Sequence, residues 1–261
     1  MRIALGVEYD GSRFRGWQTQ EDVPTVQQAL ETAVSKVANH RVTVYCAGRT
    51  DAGVHGYGQV IHFDTASVRS PRAWVMGCNV NAPRSLSVQW AKEVPGHFHA
   101  RFSARRRRYR YVMLNRRIRP AVLHGKVSWV RKPLDAQAMH RAGQALLGKH
   151  DFSAFRAAAC QARRPVRTLL HLSVQRQGDF IILDVAANAF LHHMVRNIAG
   201  TLMAVGYGDQ AESWVTQVLA SGDRTRAGVT APPDGLYFMG VGYADEFAIP
   251  EQDRPVLLYP S

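Results

Sequence analysis

Apolar and polar positions alternate at the start of the chain. Ile3, Leu5, Val7 and Tyr9 are interleaved with Ala4, Gly6 and Glu8, the two-residue period of a strand with one buried face, ending at Asp10-Gly11. The period then lengthens: behind a Thr25/Gln28 capping box, Val26, Leu30, Ala33, Val34 and Val37 fall at helical spacing and predict an amphipathic helix ending near Asn39. Strands over Val42–Ala47, Gln59–Asp64 and Leu86–Val94, with a short helix over Pro71–Val80, complete the first hundred residues. The second half repeats this grammar without repeating its sequence. A strand carries Tyr109 and Tyr111, another spans Gly125–Arg131, and a helix capped by Asp135 runs through Leu147 to a stop at Gly148. Leu169–Arg176 and Phe180–Ala186 flank a turn at Gln177-Gly178-Asp179, helices cover Leu191–Val205 and Glu212–Ala220, and a last strand runs from Leu236 to Tyr243. The pattern predicts an α+β chain on a mainly antiparallel sheet, with halves at 1–104 and 105–245 and a tail from Glu246 that wraps the surface.

Composition narrows the partner. With 261 residues and 46% hydrophobic content the chain can bury real cores, and its net charge of +13 (pI near 10.2) favours a polyanion such as nucleic acid. Of its 33 basic side chains 28 are Arg and 5 are Lys, a bias toward planar groups that fork onto phosphate and stack on bases; a skewed source genome gives the same bias. Cys46, Cys78 and Cys160 form no CxxC and no even framework, which fits a reducing compartment. The apolar run before Glu8 is too short for a signal peptide and no segment reaches membrane-span length, so a soluble, cytoplasmic protein is expected. His97 and His99 lack a third ligand nearby, and no metal is expected.

Candidate chemistry concentrates in CAGRTDAGVHGYGQVIHF, Cys46 to Phe63. Asp51 sits there between Arg49 and His55 among Gly48, Gly53, Gly56 and Gly58, glycines that call for unusual dihedrals or for close approach by another backbone or a ligand. Asp51 is either an active carboxylate or a turn cap. The segment SRFRGWQTQ mixes Arg13 and Arg15 with Phe14 and Trp17, suited to RNA or to closing a core edge. Four arginines, Arg105 to Arg108, lead into a strand on which Tyr109 and Tyr111 share one face and Arg108 and Arg110 the other, an RNA-facing surface or a solvated edge. CQARRPVR adds a basic loop at 160–167, and His192 and Arg196, four apart, are expected on one face near a helix start.

EYDGSRFRGWQ (8–18), GRTDAGVHG (48–56), RYRYVMLN (108–115), HHMVRNIAGTL (192–202) and APPDGLYF (231–238) together closely resemble the tRNA pseudouridine synthase A family, in the family's order and across essentially the whole chain. The resemblance implies a cofactor-independent isomerase that turns uridine into pseudouridine at nucleotides 38, 39 and 40 of the tRNA anticodon stem-loop. It implies two RRM-like, ferredoxin-like halves sharing an extended antiparallel sheet, helices on one side, a basic cleft between the halves, and a homodimer. By motif position Asp51 corresponds to the catalytic aspartate, Tyr109 to the tyrosine that contacts the target base, and Arg196 to the arginine paired with the aspartate. Arg49 corresponds to a residue that helps hold the flipped nucleotide. RNA contact is further implied for Phe98, His99, Ala100, Arg101 and Phe102, and for Cys160, Gln161 and Arg163. The alternative is an RRM-like RNA-binding module without chemistry, in which the Asp51 loop is structural.

Overall fold

The computed structural model describes residues 1–250. In chain order the elements are β1 (Arg2–Tyr9), α1 (Val26–Ala38), β2 (Tyr45–Cys46), β3 (His55–Asp64), α2 (Pro71–Asn81), β4 (Leu86–Val94), β5 (Arg106–Asn115), β6 (Ser128–Val130), α3 (Ala136–Gly143), β7 (Gly148–Asp151), β8 (Val166–Gln177), β9 (Phe180–Ala187), α4 (Met194–Gly206), α5 (Trp214–Ser221) and β10 (Leu236–Gly242). The fold is mixed α+β with mostly antiparallel strand pairing. The chain forms two compact units: Met1–Arg105 together with the described residues from Tyr237 onward, and Arg106–Leu236. No helix among the described residues is long and apolar enough to cross a membrane.

In the first unit β1 lies between β4 and β3, antiparallel to both. β2 pairs antiparallel with β3, and β10 pairs parallel with it through Tyr237–His55 and Phe238–Gly56. Ile3, Leu5, Val7 and Tyr9 join Leu30 and Val34 of α1 and Trp74 and Cys78 of α2 in one apolar core, so both helices cover the same face of β1. Each such aliphatic side chain, fully buried, contributes about 1.5–3 kcal/mol. The opposite face of β1, expected to be open, is buried as well: Ala4 is fully enclosed and the Trp90 indole lies directly over Gly6. α1 begins where the capping box places it, with Thr25 accepting from the Gln28 amide (3.4 Å), and Asn39 closes it in the left-handed region at φ 57°.

The strand expected over Val42–Ala47 shrinks to Tyr45–Cys46. Its amides find partners on α1 instead: Ser35 Oγ accepts from Val42 N (2.9 Å) and Glu31 Oε1 from Val44 N (3.1 Å), so the segment docks on the helix rather than extending the ladder.

In the second unit β9 runs antiparallel between β5 and β8, β7 flanks β8, and β6 runs parallel to β5. α3 packs on β8 and α4. The helix expected to reach Leu147 is α-helical only to Gly143 and finishes as a 3-10 turn over Gln144–Leu146. The strand expected over Gly125–Arg131 keeps only Ser128–Val130. α4 starts at Met194, not Leu191, because His193 takes φ 61° and breaks the helical run. His192 therefore precedes the helix and does not share a helical face with Arg196, which stands in the first turn of α4. The tail expected from Glu246 begins inside a 3-10 turn, Asp245–Phe247, with Phe247 buried; residues from 251 lie outside the described part.

Candidate functional site

Asp51 lies in the connection between β2 and β3, half-buried, with exposed Arg49 two positions before it. The connection is shorter than the glycine pattern suggests, since β3 already begins at His55. Trp17 N donates to the Thr50 carbonyl (2.9 Å), the Tyr9 and Thr50 hydroxyls share a hydrogen bond (2.8 Å), and Gln59 Nε2 donates to the Gly48 carbonyl (2.7 Å). Val54 N donates back to the Asp51 carbonyl (3.1 Å), closing a tight turn whose third residue, Gly53, has φ 83°. Gly56 has no room for a side chain because the Tyr9 ring occupies the space a Cβ would take. These two glycines thus answer to the fold itself.

The clamp comes from the segment after β1. Phe14 and Trp17 are 6% and 2% exposed, so they close the core, while Arg13 and Arg15 point to solvent. Gly11 N donates to His55 Nδ1 (3.1 Å), Asp10 Oδ1 lies 3.3 Å from the same nitrogen, and the His55 ring stacks on Tyr237 (4.6 Å, 19°). The sequence marks this segment but gives no sign of the roles of Tyr9, Thr50 and Gln59. The pairing of polar groups at 9 and 50 depends on strand register, which the sequence does not display.

The first unit carries a second feature, a row of rings. Tyr45 stacks on His62 (5.1 Å), His62 meets His99 edge-on (4.6 Å), and His99 meets Phe102 (4.3 Å) with the Arg101 guanidinium 5.5 Å from the Phe102 ring. Tyr45 and Phe102 are 50% and 75% exposed, offering π faces to solvent. Phe98 and Ala100 in the same stretch are fully buried, so its outward groups are His99, Arg101 and Phe102. Burial, with the nearby His99 and Arg2, pushes His62 down to about 4, which suits its role as acceptor of the Ala100 amide (3.1 Å). Tyr45 and His62 were not legible beforehand; they meet because β2 and β3 pair them directly.

In the second unit, alternation along β5 is as expected: Tyr109 and Tyr111 are buried and Arg108 and Arg110 half-buried. Tyr109 lies opposite Val185 and packs edge-to-face on Phe190 (4.9 Å, 81°). Tyr111 bonds to Ser128 Oγ and donates to the Pro232 carbonyl, which marks it as structural. Arg110 forms a bidentate pair with Asp184, its cross-strand neighbour (2.7 and 2.8 Å), and Arg107 Nη1 donates to the Asn188 carbonyl (3.0 Å). Arg196 Nε donates to the Ala231 carbonyl (2.8 Å), and Ala231 N donates to the Arg196 carbonyl (3.1 Å).

The basic loop at 160–167 exposes Gln161, Arg163 and Arg164. Cys160, half-buried, accepts from the His192 amide at Sγ (3.4 Å), and its carbonyl accepts from Arg156 (2.7 Å). Burial works to raise this thiol, but hydrogen bonds from the His192 and Ala162 amides and the Arg156 charge outweigh it and hold the thiol below its ordinary range. His97, outside these clusters, lies 3.6 Å from Glu246.

Each unit therefore presents an Arg-bearing surface suited to RNA, and the first holds a carboxylate on a clamped turn. A model of the tRNA pseudouridine synthase family matches residues 6–103 and 142–244. A protein named tRNA pseudouridine synthase A from Escherichia fergusonii is 55% identical over 250 residues, covering 96% of this chain and 93% of that one. Its namesake from Cronobacter sakazakii is 54% identical over 251 residues with the same coverage. Among solved structures, one titled "Crystal Structure of a Cbf5-Nop10-Gar1 Complex" aligns at a TM-score of 0.31 and 10% identity over 77% of this chain and 54% of that one, too loose to bear on the fold. With the family model matched in both units and identity above one half over nearly the full length, the chain belongs to the tRNA pseudouridine synthase family.

Proposed function

We propose that this chain is a cofactor-independent isomerase that converts uridine to pseudouridine at positions 38, 39 and 40 of the tRNA anticodon stem-loop. The observation that carries the reading is the 55% identity over 96% of the chain to a protein named tRNA pseudouridine synthase A. The reaction breaks the bond from N1 to C1′, turns the base over, joins C5 to C1′, and moves one proton off C5 while N1 gains one. Atoms and charge balance within the nucleotide, so the reaction calls for no redox partner.

In this reading Asp51 is the catalytic carboxylate. It attacks C1′, attacks C6, or removes the C2′ proton, three routes open to one carboxylate. Arg196 pairs with it and fixes its orientation, and Tyr109 stacks on the uracil. The target base is extruded from the stem-loop before reaction, with Arg49 filling the vacated stack. The row from Tyr45 to Phe102 with Arg101, and the exposed Gln161 and Arg163 beside Cys160, hold the RNA by stacking and by phosphate contact, a recognition of shape that suits several adjacent uridines. The reading further comprises two RRM-like halves, 1–104 and 105–245, with helices on one side of a shared sheet and a basic cleft between them, in a cytoplasmic homodimer.

The test is release of tritium from tRNA carrying [5-³H]uridine by the wild type and by Asp51→Ala. Release by the wild type alone is expected. Equal release by the variant would remove Asp51 from catalysis, and release by neither would favour a binding module without chemistry. Light scattering at micromolar concentration, giving a mass twice that of the chain, tests the dimer.

A further inference from the structure

The helix turn that carries Arg196 is laced to a downstream strap, residues 227–231, at three successive points. At the first, Arg196 and Ala231 exchange hydrogen bonds: the guanidinium Nε donates to the Ala231 carbonyl (2.8 Å), and the Ala231 amide donates to the Arg196 carbonyl (3.1 Å). At the second, the Thr230 hydroxyl donates to Asn197 Oδ1 (2.7 Å), while Arg224 Nη2 donates both to that oxygen (3.0 Å) and to the Thr230 hydroxyl (2.9 Å). At the third, the Thr201 hydroxyl donates to the Asn197 carbonyl (2.8 Å) and accepts from the Gly228 amide (3.1 Å). Asn197 is fully buried, and its amide nitrogen donates to the Phe155 carbonyl (2.8 Å), so both ends of this side chain are committed. Gly200 lets the strap lie against the helix, because a Cβ there would collide with the Val229 carbonyl.

The arrangement is more elaborate than holding two segments together requires. A buried Asn oxygen that accepts from both a hydroxyl and a guanidinium cannot rotate without orphaning polar groups in a space closed to water. The residues so fixed, Asn197 and Thr230, are the immediate chain neighbours of Arg196 and Ala231. Locking the second rung therefore locks the first, and with it the plane of the Arg196 guanidinium, whose Nε is tied to the Ala231 carbonyl.

We infer that Thr230 and Arg224, acting through Asn197, are positioning residues that set the orientation of the Arg196 guanidinium for the isomerisation. This rests on the catalytic role proposed for Arg196 above. None of the three is assigned to touch RNA. Their effect belongs in the chemical step rather than in tRNA binding, since a misaligned guanidinium loses complementarity to the reacting state while the RNA-holding surface stays intact.

The test is a double-mutant cycle read by single-turnover tritium release at saturating tRNA, with tRNA affinity and thermal melts measured alongside. Thr230→Val is expected to lower the single-turnover rate about tenfold with tRNA affinity within about twofold. Thr230→Ser, which keeps the hydroxyl, is expected to restore the rate. In an Arg196→Lys background, Thr230→Val should change the rate less than about twofold, because the group it positions is gone. A tenfold loss in both backgrounds, a loss confined to affinity, or a wild-type rate for Thr230→Val overturns the inference. If Arg196→Lys itself reacts at the wild-type rate, the role of Arg196 falls and this inference with it. If Arg196→Lys is impaired and Thr230→Val is not, only this inference falls. Should Thr230→Val not fold, Arg224→Gln goes through the same cycle with the same criteria.

Discussion

Tyr9→Phe removes one hydroxyl and nothing else. That hydroxyl shares a 2.8 Å hydrogen bond with Thr50, and both residues are almost fully enclosed, at 3% and 8% exposure. Burial drives the Tyr9 hydroxyl far above the usual phenol range, so it stays protonated at every accessible pH and the bond carries no pH dependence of its own. With the hydroxyl gone, Thr50 Oγ1 loses its partner in a space closed to water, which costs about 1–3 kcal/mol. Thr50→Val alone leaves the Tyr9 hydroxyl only the Gln59 side chain beside it and costs less, about 1 kcal/mol. The double variant removes both partners, and its loss should fall short of the sum of the single losses by about 1 kcal/mol. Urea unfolding at pH 7 with an unchanged m value measures all three. Because Thr50 directly precedes Asp51, the tritium-release rate of Tyr9→Phe should fall further than its tRNA affinity. A stability loss under about 0.3 kcal/mol, or strict additivity in the double variant, would refute the clamp.

Three further outcomes follow from the geometry. Arg163→Ala should flatten the dependence of log tRNA affinity on log salt by about 0.7–1 unit, as expected for loss of a phosphate contact, whereas Arg110→Ala, already paired with Asp184, should leave that slope nearly unchanged. His62, ordinarily near 6.5, is held down to about 4 in the fold, so the unfolded chain takes up the proton first as pH falls. Its contribution is complete above about pH 6.5 and drains away toward pH 4, and wild type should lose about 2 kcal/mol more than His62→Gln between pH 7 and pH 5 in denaturant titrations. Asn39→Gly, at a helix end with φ 57°, should raise stability by about 0.5 kcal/mol, read as a small upward shift in melting temperature; a fall would show that the Asn side chain contributes there.

Local signals carried most of the fold. β4 spans Leu86–Val94, the residues its pattern marks, and α1 starts behind Thr25, because hydrophobic period and capping chemistry act over a few residues. What was lost depended on neighbours in space. The strand expected at Val42 yields to Ser35 and Glu31, whose side chains reach the backbone only after α1 has docked. The helix expected from Leu191 starts late because His193 adopts a left-handed conformation, for which Gly or Asn would have been the visible sign. For the candidate site, the sequence singled out Asp51, but the groups that hold its turn, Tyr9 and Gln59, lie on strands whose register only the sheet reveals. Of the glycines expected to serve unusual dihedrals or a close approach, Gly53 takes a positive φ in the turn and Gly56 gives its space to the Tyr9 ring.

The parallel pairing of β10 with β3 bears on how the chain can be made. The first unit leaves its own sequence at Arg105 and resumes only at Tyr237, yet the His55 ring lies against Tyr237 and the start of β3 takes its partner from the last strand. During synthesis the second unit can collapse as a continuous stretch, while the first, though begun earlier, must wait with one side of β3 incomplete until the C-terminal strand emerges. The candidate aspartate turn lies at the edge of that late-closing seam. A chain cut short before residue 237 would therefore lose the support of a site almost two hundred residues upstream, and the order in which the protein becomes competent is the reverse of the order in which it is read.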